Sequence, residues 1–291
     1  MATQKEIKRR IRTVQKTQQI TSAMRMVSAA KLRRAQDAIL AARPYAQQIW
    51  AMMYEIGRRH GAVSHPLMQV RPEPKRLEVI VIASDRGLCG AFNANVLKAG
   101  VATLAERRAQ LEQTSVSTVG RKATEFVRRR RPLERSWLIG QGVSMTLVQE
   151  IAQYLAGRYE SGAVDEVVLV GNEFVSALTQ RPTVVRLLPL VPEFSGVRSY
   201  GEDEGREPFE IEPDARTLLD VLVPQALEFS IYRALLESWA GEHAARMAAM
   251  ENATRNTEDL IRNLSLRFNR ARQAAITKEL VEIVSGAEAL K

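Results

Sequence analysis

From Met247 onward an apolar or small residue recurs at alternating steps of three and four: Met247, Met250, Thr254, Thr257, Ile261, Leu264, Phe268, Ala271 and Ala275. A mean spacing near 3.5 residues asks for a partner helix along its whole length. A second register then takes over through Ile276, Leu280, Ile283, Ala287 and Leu290. The two registers are offset by one residue, so the apolar stripe rotates near Ala275 and the tip presents a different face from the shaft. Such a helix reads as a rod with a specialised end.

The start of the chain supplies a partner. Ile7, Ile11 and Val14 follow the same steps, and after a slip the pattern is expected to resume at Ile20, Met24 and Val27, with Ala30, Ala35, Ala38 and Ala42 continuing as small residues. Nothing breaks the helix before Pro44, and the pattern resumes from Tyr45 to about Ile56. At the α-helical rise, a helix over most of residues 3–57 is on the order of 80 Å long. Two long helices at opposite ends of one chain pair as an intramolecular antiparallel coiled coil, and the middle of the chain then sits at one end of it. Pro224 is expected to bend or interrupt the start of the C-terminal helix.

The middle has a different period. Residues 77–84, 115–120, 166–171 and 183–190 read as strands, and residues 93–110, 122–129 and 144–159 as helices between them. Strands alternating with helices predict a parallel or mostly parallel sheet covered by helices. The expected organisation is therefore an N-terminal coiled-coil helix over residues 1–57, a Rossmann-like α/β domain over 75–192, and a C-terminal coiled-coil helix over 213–291. Proline, glycine and charge mark the junctions at residues 71–74 and 192–213.

No apolar run approaches the ~18 residues of a membrane span, and MATQKEIKRRIRT has no apolar signal core. A single cysteine, Cys89, excludes an internal disulfide framework. Within residues 1–34, Lys5, Lys8, Arg9, Arg10, Arg12, Lys16, Arg25, Lys31, Arg33 and Arg34 face only Glu6 in opposition. A helix that basic repels itself unless acidic surfaces surround it. By contrast, Glu202, Asp203, Glu204, Glu207, Glu210, Glu212 and Asp214 crowd one connection beside Arg206. The two regions are expected to meet partners of opposite sign.

Five blocks, KEIKRRI (5–11), TQQITSAMRMVSAAKLRRA (17–35), SDRGLCGAFN (84–93), ARMAAMENAT (245–254) and NRARQAAITKELVEIVSGAEAL (269–290), stand in the order and at the separations found in the gamma subunit of F-type ATP synthases, which this chain closely resembles from about Lys5 to Leu290. The resemblance implies a shaft standing inside a ring of three alpha and three beta subunits, with its α/β foot beside the epsilon subunit and the membrane c-ring. It implies torque transmission between ion flow and ATP synthesis or hydrolysis, with no chemistry on this chain: ATP, ADP and Mg are bound by partner subunits, and the chain itself holds no cofactor or metal. The resemblance also implies that Arg272, Gln273, Thr277 and Glu279 make polar contacts with the alpha-beta ring, and that Met24 faces an acidic segment of the beta subunit or packs in the seam. Arg9, Arg10, Arg12, Arg33 and Arg34 then form an electrostatic complement of individually weak pairs, each about 0–1 kcal/mol. With no chloroplast-type dithiol insertion and no clear presequence, the resemblance points to a bacterial protein, peripheral on the cytoplasmic face of the inner membrane.

Asp85, Arg86, Gly87, Leu88, Cys89 and Gly90 follow a strand and precede a helix, where α/β folds often bind phosphate. The loop lacks both GxGxxG and GxxxxGK[ST], and the resemblance instead makes it a loop near the coiled coil and its beta-subunit contacts. Ala91 stands where many members of that family have a second glycine. Cys89 has no recognisable base nearby, and His60, His65 and His243 have no metal-ligand spacing. Residues 128–131 are four arginines before Pro132, expected to end a helix in water with charge suited to its C-terminus. A basic coiled-coil protein that binds nucleic acid is the competing reading, supported by a net charge of +9. Against it, no aromatic residues interleave with the basic ones and no nucleic-acid motif is present. A stand-alone nucleotide enzyme lacks a catalytic constellation.

Overall fold

The computed structural model describes residues 4–60, 65–108, 111–176, 179–191, 211–212 and 214–288. Two helices dominate, α1 (Gln4–His60) and α5 (Ala215–Glu288). The chain forms two compact units, one of Met1–Ser28 with Arg246–Lys291 and one of Ala29–Ala245. The acidic connection from Glu202 to Glu210 and the terminal Leu290 lie outside the described residues.

In the first unit the opening of α1 and the end of α5 pair antiparallel. Gln4 donates to the Ala271 carbonyl, Gln18 to Glu258, and Arg25 to Glu251, so partner numbers fall as α1 rises. On α5 the covered positions include Met247, Met250, Thr254, Thr257, Ile261, Leu264, Phe268, Ala271 and Ala275, the stripe expected from the 3.5 spacing, flanked by Glu251, Ala253 and Ser265. On α1 the covered positions form the stripe Gln4, Ile7, Ile11, Val14, Gln18, Thr21, Arg25 and Ser28, flanked by half-buried Ser22 and Met24.

That α1 register corrects the expected slip. The heptad runs on without a break, but through polar residues; of the three residues expected in the slipped register, Ile20 and Val27 are 59% and 57% exposed, while Met24 is half-buried at the edge of the seam. Polar side chains can hold these positions because they find partners across the interface, which removes the cost of burying them unpaired.

The second unit contains a five-stranded sheet in the order β3-β2-β1-β4-β5, built from β1 (Arg76–Ile82), β2 (Gln113–Val119), β3 (Ser136–Trp137), β4 (Glu166–Phe174) and β5 (Gln180–Leu188). Pairs β1–β2, β1–β4 and β2–β3 are parallel, and β4–β5 is antiparallel. A mostly parallel sheet was expected, and near-continuous burial along β1 and β4 is what a sheet covered on both faces requires. Leu77, Val79, Val81, Val168 and Val170 pack with Val96 of α2 (Phe92–Arg108) and with Ala123 and Val127 of α3 (Arg121–Arg128). Ile80, Ile82, Val167 and Leu169 pack with α4 (Met145–Glu160) and with Ile49, Trp50, Met53, Leu222, Leu227 and Leu235 of the long helices. Each such large side chain contributes about 1.5–3 kcal/mol when removed from water.

Both long helices run through a proline. Pro44 cannot donate to Leu40, and Pro224 cannot donate to Asp220; both acceptor residues are exposed, so the helix continues without burying an unpaired carbonyl. Pro224 therefore does not interrupt α5. The helix instead begins at Asp214, whose carboxylate accepts from the backbone N–H groups of Arg216 and Thr217, both at 2.9 Å, which pulls its pKa down.

Candidate functional site

The first unit offers a polar seam, a basic face and an apolar tip. Along the seam, Gln18 Nε2 donates to Glu258 Oε1 at 3.1 Å, the Thr21 and Thr254 hydroxyls meet at 2.8 Å, and Arg25 Nη1 donates to Glu251 Oε2 at 2.7 Å. Arg255 reaches the other Glu251 oxygen at 3.2 Å. The Arg25 hydrogen bond pulls the Glu251 carboxyl below its ordinary range. These layers border a groove of about 520 Å³ that also includes Ser22 and Met26. Met24 is half-buried beside this region, and its carbonyl accepts from the Ser28 hydroxyl at 2.8 Å.

Arg9, Arg10 and Arg12 are exposed on α1 in this unit. Arg33 and Arg34 are exposed too, but belong to the second unit. Arg272, Gln273, Thr277 and Glu279 are all exposed on one stretch of α5, and Thr277 Oγ1 donates back to the Gln273 carbonyl at 3.0 Å. Just beyond Ala275 the apolar side chains lose their cover: Ile276, Leu280, Val281, Ile283 and Val284 are each at least half exposed. An apolar helix end of this kind is surface for an external partner.

In the second unit, the Asp85–Gly90 loop joins β1 to α2 at the carboxyl end of the parallel strands. Asp85 organises it. One carboxylate oxygen accepts from Arg121 N at 2.9 Å, at the start of α3, and the other accepts from Ile139 N at 3.1 Å and Gly140 N at 2.8 Å. A carboxylate of the chain itself thus occupies the position where a helix N-terminus attracts an anion.

The neighbouring donors are engaged as well. Ser84 N donates to Asn93 Oδ1 at 3.0 Å, and the Ser84 hydroxyl lies 2.5 Å from the Arg86 carbonyl. Asn93 Nδ2 donates to Cys89 Sγ at 3.2 Å, inside a pocket that leaves the thiol buried. Arg86 and Leu88 face outward, and Leu88 holds a left-handed φ of 63° while 64% exposed. Holding a residue that carries a Cβ in that conformation costs about 1 kcal/mol or more. Phe92, directly after the loop, packs so tightly on α5 that a Cβ at Gly241 would lie 3.2 Å from its ring.

A cleft of about 530 Å³ beside β5 is lined by Trp50, Asn172, Val184, Val185, Phe229 and others, with Glu166 held between Arg107 at 3.3 Å and Arg186 at 3.1 Å. It contains no nucleophile paired with a base. Among the described residues no group of His, Cys, Asp or Glu side chains is arranged to hold a metal ion, and no helix is long and apolar enough to cross a membrane.

The structure therefore gathers Arg272, Gln273, Thr277 and Glu279 on one helix segment and the loop residues around Asp85, while the α1 arginines are divided between units. The polar seam partners Gln18, Thr21 and Arg25 escaped the sequence reading. Their signal was the uninterrupted 3-4 spacing after Val14, hidden because the residues are not apolar.

Comparison with known proteins shows the family to which the chain belongs. The sequence profile of the ATP synthase family matches residues 3–290. The ATP synthase gamma chain of Pelotomaculum thermopropionicum is 45% identical over 100% of both chains, and that of Geobacter metallireducens is 44% identical over 100% of both. Among solved structures, a chain of the Euglena gracilis mitochondrial ATP synthase, determined with OSCP, F1 and c-ring, superposes with a TM-score of 0.65 at 21% identity, covering 99% of this chain and 94% of that one. The chain belongs to the ATP synthase gamma family, as a non-catalytic rotor subunit of the central stalk.

Proposed function

We propose that this chain transmits torque between a membrane c-ring and an alpha-beta hexamer, coupling proton flow to ATP synthesis, and hydrolysis to pumping in reverse. The observation that supports this most is the end of α5: seam burial ceases at Ala275 and an apolar surface from Ile276 to Val284 continues without cover. A surface of that kind fits a smooth apolar sleeve in which the shaft turns. Arg272 and Gln273 just before that stretch, with Thr277 and Glu279 within it, supply polar contacts to the ring, and Arg272 can engage a carboxylate through two parallel hydrogen bonds.

Met24, Arg9, Arg10, Arg33 and Arg34 are contacts for acidic beta-subunit segments, and the Asp85–Gly90 loop is a further contact, presented through exposed Arg86 and Leu88. Weak, separate contacts suit a shaft that has to release each subunit in turn. A rotor shifts a subunit only by contacting its states unequally, so the asymmetry of these patches is part of the mechanism. ATP, ADP and Mg belong to the partner subunits. The α/β foot joins the epsilon subunit and the c-ring, which places the chain, one copy per complex, peripherally on the cytoplasmic side of a bacterial inner membrane.

Reconstitution of the alpha and beta subunits with and without this chain tests the reading, following complex size and ATP turnover. A stable assembly with cooperative turnover that requires the chain, and that Arg272→Ala with Gln273→Ala weakens, supports it. A chain that neither enters the ring nor changes turnover refutes it.

A further inference from the structure

Around the end of α3 the foot carries a concentration of positive charge that the rotor contacts leave unused. Arg128, Arg129, Arg130 and Arg131 follow one another, and Arg135 comes four residues later. Arg128, Arg129, Arg130 and Arg135 are exposed and Arg131 is half-buried. The nearest carboxylates are engaged elsewhere: Glu125 takes Lys122 Nζ at 2.8 Å, and Glu134 is bound by Arg158, which also holds buried Glu78 at 2.9 Å. The helix C-terminus satisfies one or two cations within its last turn, and Glu125, already paired with Lys122, is also felt by Arg129, so one shared carboxylate faces a run of four arginines.

Two of these side chains are held in place by aromatic rings. The Arg130 guanidinium lies 3.7 Å from the centre of the Phe126 ring, and the Arg135 guanidinium lies 5.2 Å from Trp137 and 4.9 Å from Tyr154. Arg130 Nη1 also donates to the Phe126 carbonyl at 3.0 Å, which helps to fix its plane and leaves its other N–H groups for phosphate oxygens. On the same edge of the sheet, Leu138, directly after β3, is 55% exposed. An apolar side chain near a basic run favours a bilayer surface over a hydrated polyanion.

We propose that the α3 arginine cluster, Arg128 to Arg131 with Arg135, is a docking surface for anionic phospholipid headgroups, steadying the foot against the membrane beside its ring. The inference rests on the rotor reading, which brings the foot to a membrane-embedded partner. Clusters of four to eight basic residues close to a bilayer bind its anionic lipids, each cation multiplying the affinity roughly fivefold. A diffuse set of guanidiniums also suits a fluid surface that a rotating foot slides across.

The test is vesicle flotation of the full chain carrying Arg9→Gln, Arg10→Gln and Arg12→Gln, so that the basic start of α1 does not mask the foot. Vesicles of phosphatidylglycerol and phosphatidylcholine in equal parts are compared with phosphatidylcholine alone. Binding is expected only to the former, to fall roughly a hundredfold with Arg128→Gln, Arg129→Gln and Arg130→Gln together, and to fall less than about threefold with the charge-matched set Lys98→Gln, Arg108→Gln and Arg181→Gln, where a net-charge effect would match the first loss. Equal losses in both sets, undiminished binding by the first set, or equal binding to neutral vesicles overturns the proposal. Loss of duplex DNA retention with vesicle binding intact overturns it in favour of nucleic acid. Flotation reads the patch whether or not the chain enters an alpha-beta ring, so its failure is separate from failure of the rotor reading.

Discussion

The hydroxyls of Thr21 on α1 and Thr254 on α5 meet at 2.8 Å inside the helix pair. Each also has a carbonyl on its own helix, Gln18 O at 3.0 Å for Thr21 and Met250 O at 2.8 Å for Thr254. Either single change to valine leaves one hydroxyl without its partner across the seam, whereas the double change removes both polar groups. Thr21→Val and Thr254→Val are each expected to cost about 1 kcal/mol, and the double variant less than their sum. Denaturant unfolding of the four chains, set out as a double-mutant cycle, checks this. Strict additivity would show that the two hydroxyls do not interact.

Asp85→Ala strips acceptors from the N–H groups of Arg121, Ile139 and Gly140 at once. A cost of about 2–4 kcal/mol is expected, since backbone donors are left without protein partners and the start of α3 loses its negative charge. Hydrogen exchange at Arg121 and Gly140 should accelerate sharply. Unchanged protection there would mean that Asp85 does not hold the loop to α3.

Glu78 lies on β1 with its side chain fully buried, accepting from the Ser117 hydroxyl at 2.5 Å and facing Arg158 Nε at 2.9 Å. Burial pushes its pKa up, against the Ser117 hydrogen bond and the Arg158 charge. A carboxyl raised on folding contributes stability that is complete below its unfolded pKa and is lost as pH rises through the folded one. Glu78→Gln keeps the shape and removes that slope, with a net change expected within about 1 kcal/mol. Glu78→Ala leaves Arg158 poorly matched and opens a gap in the sheet, at an expected cost of about 3–5 kcal/mol. Unfolding midpoints across mildly acidic to neutral pH separate the two variants.

His65 gives a pH response of the opposite sense. Its Nδ1 accepts from Leu67 N at 3.1 Å, capping the short 3-10 turn Pro66–Met68, and a protonated ring cannot accept. Burial lowers its pKa, against the raising charges of Asp220 and Glu160. A histidine depressed on folding contributes stability that is present above its unfolded value near 6.5 and is lost as pH falls through the folded one. The loss is expected to be about 0.5–1.5 kcal/mol, one hydrogen bond, and His65→Gln should flatten it. A variant with the same acid slope as the parent would assign that slope to other groups.

The legibility of this chain varied with the range of the interactions involved. The α5 seam was plain because apolar or small residues marked every step of the 3.5 period to Ala275. The α1 seam after Val14 was legible only at half-buried Met24, because the covered residues Gln18, Thr21, Arg25 and Ser28 are polar, while Ile20 and Val27, the conspicuous hydrophobes, face solvent. Polar seam residues reveal themselves only once Glu258, Thr254 and Glu251 are seen opposite them.

Within the foot, four of the five strands were recoverable from β-branched runs. β3, two residues long, carries no periodicity to detect. The start of β5 was set too late because Pro182 reads as a breaker, yet it sits on the outer strand of the sheet, where a missing N–H is tolerated. The place of Asp85 in the sequence was visible, but its hydrogen bonds reach 36 to 55 positions along the chain and belong to tertiary structure alone.

The apolar helix end from Ile276 to Val284 has a consequence for any copy that stands alone. Five large apolar side chains, each at least half exposed, make the kind of unburied segment on which chaperones and proteases act, so a copy without partners is expected to be cleared faster than one whose helix end is covered.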